Sequence, residues 1–243
     1  MIKNICFKNI RFNNIKNKDY KKLLKKKGLF VFPSGPGLAG LKNNSNYHLA
    51  LIKSNYVFFD SGFFVLFLKF FKRINVNKFS GYIFLNYFFN KNAAIKNKSV
   101  FSIDPDKANL KLNEKFLKKQ GFKIVFNYLA PIYNKQNITD KKLIKKLNKV
   151  KPNYILTNIG GGTQEILGYY LKKKLKFKTS IYCTGGAISY FTGTQAPINK
   201  FFDKFYLGWL IRILYNPRSF LYRYLISFKL IIILLRSKIT INQ

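Results

Sequence analysis

The sequence predicts an α/β fold in which a mostly parallel sheet carries helices on both faces and ends in a helical C-terminal appendage. Three observations lead there. Short apolar runs alternate with helix-length segments of 3.6 periodicity, the pattern of repeated βαβ units. The runs are almost continuously apolar rather than alternating, as in strands covered on both sides. Beyond Pro197 the strand-like runs stop and only helical patterns follow.

The elements follow in order. "GLFVFPSG" is a strand that ends in Pro-Ser-Gly, with a helix near Asn46 to Ser54. "NYVFFDSG" is a second strand, leading into helical sequence up to Lys72. "KSVFSIDPDK" is a third, followed by the helix "EKFLKKQG", which stops at Gly121. "FKIVFNYLAP" is a fourth, before the Lys-faced amphipathic helix "TDKKLIKKLNKVKP" with Thr139 or Asp140 as its N-cap. "NYILTNI" and "TSIYCTGG" are two more, with "QEILGYYLKKKL" between them. Residues 1–197 thus form a Rossmann-like core and residues 198–243 the appendage. In such sheets ligands bind beyond the strand C-termini. That rule singles out Ser34, Asp60, Asp104, Gly160 to Glu165, and Thr184 to Ala187.

Composition bounds the function. At 243 residues with 48% hydrophobic side chains, 26 Phe among them, the chain can bury a large core and is no disordered basic tail. Forty-five Lys and Arg against eight Asp and Glu give a formal charge of +37. Two readings of that charge stand: anionic partners such as nucleic acid, anionic lipid or phosphorylated ligands, or an AT-rich coding bias that enriches Lys, Asn, Ile and Phe together. Cys6 and Cys183 have no CxxC spacing, and His48 is the single histidine, so neither a disulfide framework nor a metal site is expected. "MIKNICFKNIRFNNIKNKDYKK" sustains no apolar core of a signal peptide, and neither "FFVLFLKFF" nor "YLISFKLIIILL" reaches the ~20 apolar residues of a membrane span. Basic residues around a short apolar helix suit the membrane interface instead.

With eight acids the candidate general bases can be examined one by one. Asp19, Glu114 and Asp140 sit in Lys-rich segments and read as solvated, and Asp106 lies in a turn. Asp60, Asp104, Glu165 and Asp203 remain. Asp60 stands where "YVFF" leaves the sheet. It reads either as a general base among aromatics or as a turn residue capping the next helix. "GGGTQE" offers close backbone approach and then a helix N-terminus, a site for phosphate or sugar oxygens. It matches neither the P-loop nor GxGxxG. Glu165 in that stretch reads equally as a first-turn carboxylate favoured by the helix dipole. Gly185 and Gly186 repeat the glycine theme after the next strand. Arg212, Arg218 and Arg223 lie near Trp209, Tyr222 and Tyr224. They read as diphosphate ligands or as a solvated helix face.

Taken together, "VFFDSG", "KPNYILTNIGGGTQE", "CTGGAISYFTGTQAP" and "LGWLIRILYNPRSFLYRYL" resemble the WecG/TagA/CpsF family of glycosyltransferases, in the family's order and along most of the chain. The resemblance implies an inverting, metal-independent transfer from a UDP-sugar (an N-acetylmannosamine-like or related hexose), with no cofactor. It implies a polyprenyl-diphosphate-linked saccharide as acceptor, in surface polysaccharide synthesis. The enzyme would lie on the anionic inner face of the cell membrane, with no specific nucleic acid as partner and a homo-oligomer left open. On this resemblance Asp60 is the catalytic base. Gln164 and Glu165 meet the donor, with Gly160, Gly185 and Gly186 about it. Arg212, Arg218 and Arg223 neutralise the leaving diphosphate. Departures from the family pattern are Gly162 for a proline, Ser61 between Asp60 and Gly62, "ISY" for Phe-Asp-Phe, "PSGPG" for Thr-x-Asn with Ser34 as its polar residue, and Lys78 where an arginine is frequent. A basic nucleic-acid-binding α/β protein and an inactive scaffold are the alternative readings.

Overall fold

A computed structural model describes residues 3–91, 97–195, 213–214 and 217–242. Its centre is a nine-stranded sheet. In chain order the strands are β1 Lys3–Phe7, β2 Ile10–Asn14, β3 Gly28–Val31, β4 Tyr56–Phe58, β5 Ser99–Asp104, β6 Ile124–Leu129, β7 Tyr154–Thr157, β8 Ser180–Cys183 and β9 Ile239–Asn242. Across the sheet they run β6-β5-β7-β8-β3-β4-β2-β1-β9. From β6 to β2 every neighbouring pair is parallel, while β2–β1 and β1–β9 are antiparallel. The α/β class and the mostly parallel sheet are therefore as the sequence predicts.

The helices are α1 Tyr20–Leu24, α2 Gly35–Ala39, α3 Ser45–Ile52, α4 Gly62–Lys72, α5 Gly81–Lys91, α6 Lys107–Lys119, α7 Lys141–Val150, α8 Thr163–Lys174, α9 Ser189–Thr192 and α10 Pro217–Leu235. Two apolar clusters show which face each covers. Leu38, Leu51, Phe64, Leu143, Leu167 and Leu230, from α2, α3, α4, α7, α8 and α10, bury against one side. Phe84, Phe88 and Leu117, from α5 and α6, bury against the other, with Ile188 ahead of α9. The second cluster is built of rings: Phe84 meets Tyr182 at 4.7 Å and 69°, and Phe30 meets Tyr182 at 5.0 Å and 84°. Each fully buried ring of this kind contributes on the order of 1.5–3 kcal/mol by leaving water.

Caps fix where the helices begin. Asp140 caps α7 through Leu143 N–H at 2.8 Å, and Asp106 caps α6 through Asn109 N–H at 2.8 Å. Asp140 is not solvated, as its Lys-rich context had indicated. Its other oxygen accepts the Tyr128 and Tyr133 hydroxyls, each at 2.8 Å.

The two ends of the chain depart from the expected pattern. Residues 3–14 form a hairpin whose turn residues Lys8 and Asn9 have φ of 51° and 61°. The expected all-helical run beyond Pro197 ends in β9, which pairs with β1 so that Ile241 opposes Ile5. The alternating Ile239 and Ile241 of "KITINQ" suit a strand. Helix α10 lies along α2, with Leu230 and Leu234 fully buried. Glycine permits that approach: a Cβ on Gly35 would stand 3.3 Å from Ser227 Oγ.

Candidate active site

At the C-terminal edge of the sheet lies a cavity of about 540 Å³. Its walls are the segments after β3, β4, β5, β7 and β8, closed on one side by Ser227 and Phe228 of α10. Ser34, Asp60, Lys78, Gly160, Gln164, Glu165, Gly185 and Gly186 all line it. The strand-end rule is the reason: residues far apart in sequence meet because parallel strands deliver their C-termini to one edge.

Asp60 follows β4, and the capping role open to it in the sequence is taken by its neighbour. Ser61 Oγ accepts Phe64 N–H at 3.2 Å and so caps α4. The Asp60 carboxylate instead reaches the start of α5, where Oδ1 accepts Gly81 N–H at 3.0 Å. Ser80 Oγ takes Ile83 N–H at 3.2 Å in the same turn. A helix N-terminus favours an anionic neighbour. Asp60 is thus a half-buried carboxylate on the cavity wall.

Glu165 is arranged differently. The N-cap of helix α8 is Gly162, whose φ of +88° suits glycine and which has no side chain to cap with. Glu165 folds back so that Oε2 accepts Gly162 N–H at 2.7 Å, and Oε1 accepts Gln164 Nε2 at 3.1 Å. Burial raises its pKa to about 7, against the opposing effect of these N–H donors and with a further push from the Asp60 charge. Beneath them, burial and the charges of Glu165 and Asp60 push the Tyr47 hydroxyl well above its ordinary value. Gln164 is itself 4% exposed, and Gly185, at φ +56°, leaves it room: a Cβ there would lie 3.2 Å from Gln164 Nε2.

The match to a family model completes this picture: Glycosyl transferase WecG/TagA/CpsF family, over residues 3–243. The chain belongs to the WecG/TagA/CpsF family. It is a glycosyltransferase of that type, with sugar donor and acceptor as its substrates. No curated protein matches the chain.

Of Arg212, Arg218 and Arg223 in this WecG/TagA/CpsF protein, only Arg218 has a described side chain. Arg218 is exposed on α10 and is not in the lining. Arg212 and Asp203 lie outside the described residues, as does the Arg223 side chain. Ser34 caps α2, its Oγ accepting Gly37 N–H at 3.4 Å. Among the described residues no group of three or more His, Cys, Asp or Glu side chains converges.

Several lining residues went unread in the sequence: Ser80, Tyr82, Asn109, Asn113 and Asn158. Asn158 directly follows β7 and was within reach of the strand-end rule. Asn113 sits in mid-helix among lysines, with no one-dimensional signal. Behind these two asparagines stands Asp104, fully buried, its pKa raised by burial against the pull of its amide and hydroxyl partners.

Proposed function

We propose that this glycosyltransferase moves a hexose, of N-acetylmannosamine or related type, from a UDP-sugar to a saccharide on a polyprenyl diphosphate, with inversion and without a metal. The observation that carries this reading is Asp60, fixed at the cavity wall by Gly81 N–H while Ser61 does the capping. In the reaction the acceptor hydroxyl gives its proton to Asp60, and its oxygen bonds to the anomeric carbon. The bond from that carbon to the UDP oxygen breaks, and the electron pair leaves with UDP. A positioned carboxylate base contributes roughly 10²–10⁴ in rate. The leaving charge falls to cations, for which Lys78 at the cavity and Arg212, Arg218 and Arg223 of the C-terminal segment are the candidates.

Exposed apolar residues support a membrane-surface location. Leu221, Leu225, Phe228, Ile232 and Leu235 recur at spacings of four and three along α10 and are each about half exposed. Phe70 and Phe71 of α4 are 68% and 66% exposed. Lys69, Arg218, Lys229 and Arg236 are exposed beside these positions, a mixture that suits anionic lipid. Among the described residues no helix is long and apolar enough to cross a membrane.

The test is UDP release from a panel of UDP-sugars with a polyprenyl-diphosphate-linked acceptor, in excess EDTA. Acceptor-dependent release from at least one donor is expected; release that requires an added divalent ion contradicts the metal-free mechanism. Truncation after Pro197 is expected to abolish both turnover and binding to anionic vesicles.

A further inference from the structure

At β5 and β7 the chain reverses its winding. β5 leads through α6 to β6 on one side, whereas β7 leads through α8 to β8 on the other. In open parallel sheets such a reversal opens a crevice at the strand ends where ligands bind. The side chains in this crevice are not those assigned to transfer. Asp104, the last residue of β5, is 0% exposed. Its Oδ1 accepts Asn113 Nδ2 at 2.6 Å and Asn158 Nδ2 at 2.8 Å, and Asn158 Nδ2 also reaches Ser102 Oγ at 3.0 Å.

That arrangement dictates which way both amides face. The carboxylate oxygen accepts, so each asparagine must turn its NH₂ to it. Each carbonyl is then left over: Asn113 Oδ1 and Asn158 Oδ1 have no hydrogen-bond partner among the described residues, and neither has Asp104 Oδ2. A buried acceptor without a donor costs roughly 1–3 kcal/mol, and folded proteins leave few. Three in one cluster, with both asparagines lining the cavity, mark a place built for something that brings hydrogen-bond donors.

We infer that Asn113 and Asn158, oriented by Asp104, form an acceptor-only subsite for the hydroxyl and N–H groups of the nucleoside half of the donor substrate. This rests on the UDP-sugar reading above and extends it to residues outside the transfer machinery. A uridine supplies suitable groups in its two ribose hydroxyls and its imide N–H. Phosphate oxygens, which accept and carry negative charge, are repelled by the same wall. The subsite therefore orients the nucleotide as well as binding it. Asp104 is a positioning residue, acting through the two amides.

Titration calorimetry on the full chain tests this with UDP and inorganic diphosphate as probes. Asn113→Ala and Asp104→Asn are compared with the unaltered protein, folding being followed by thermal unfolding. In Asp104→Asn the new amide turns its own NH₂ onto one of the orphan carbonyls and consumes it. Both variants are expected to bind UDP at least tenfold more weakly and diphosphate within twofold of the unaltered protein. Should Asp104→Asn fail to fold, Asn113→Ala, altered only at the cavity-facing amide, decides alone. Unchanged UDP affinity overturns the subsite and leaves the UDP-sugar reading standing. An equal loss for both probes overturns it too, because it marks a structural role. Failure of the unaltered protein to bind UDP overturns both.

Discussion

The β4–α4 turn and the β7–α8 turn reach the same cavity, and each brings one carboxylate, yet the two are used in opposite ways. After β4, Ser61 caps the helix and Asp60 is left on the cavity wall, steadied by an N–H from a different helix. After β7, the N-cap is a glycine without a side chain, and Glu165 must fold back to serve it. The difference lies in one neighbouring residue. A carboxylate is available for chemistry where the local backbone has already been satisfied by something else. Glu165 is taken up by its donors, and burial raises its pKa against their pull; Asp60 lies half-buried on the cavity wall.

Breaking the comparison at Glu165 gives the largest expected effect on stability. Its pKa is 4.5 in the ordinary state and about 7 in the fold. Between those values the folded chain holds more protons than the unfolded one, so stability falls as pH rises through this window. A shift of that size corresponds to about 3 kcal/mol. In Glu165→Gln, which keeps an acceptor for Gly162 N–H, chemical denaturation from pH 4 to 8 is expected to show that much less decline. An unchanged pH profile would contradict the burial argument.

Gly185→Ala comes next. It places a side chain at φ +56° and 3.2 Å from Gln164 Nε2, and a loss of roughly 1–3 kcal/mol is expected in thermal unfolding. Ser61→Ala, which removes a cap, is expected to cost about 1 kcal/mol. It also sharpens the contrast: with Ser61 gone, Asp60 becomes the nearest oxygen able to cap α4, so turnover should fall more than stability does.

Much of the sheet was legible because buried parallel strands are apolar runs, and those runs are visible in one dimension. The strand-end rule then reached Ser34, Asp60, Gly160, Gln164, Glu165, Gly185 and Gly186, all of which line the cavity. What escaped was set largely by partners on other elements, which the periodicity of one helix or strand does not show. Asp140 looked solvated among lysines until Tyr128 and Tyr133 folded onto it. Asn113, on α6, has no local signature because its meaning comes from Asp104 at the end of β5. The hairpin at residues 3–14 turns on Lys8-Asn9 rather than an Asn-Gly pair, and β9 needs β1 to be a strand at all.

The central claim is that Asp60, and not Glu165, takes the acceptor's proton. It is tested most directly by measuring sugar transfer and UDP binding side by side in Asp60→Asn and Glu165→Gln. The asparagine keeps an oxygen for Gly81 N–H, so the cavity wall should stand. Transfer is expected to fall by about 10³ or more in Asp60→Asn with UDP affinity within about threefold, and by less than about tenfold in Glu165→Gln. Turnover at the unaltered protein's level in Asp60→Asn, or an equal collapse in both variants, would contradict the account.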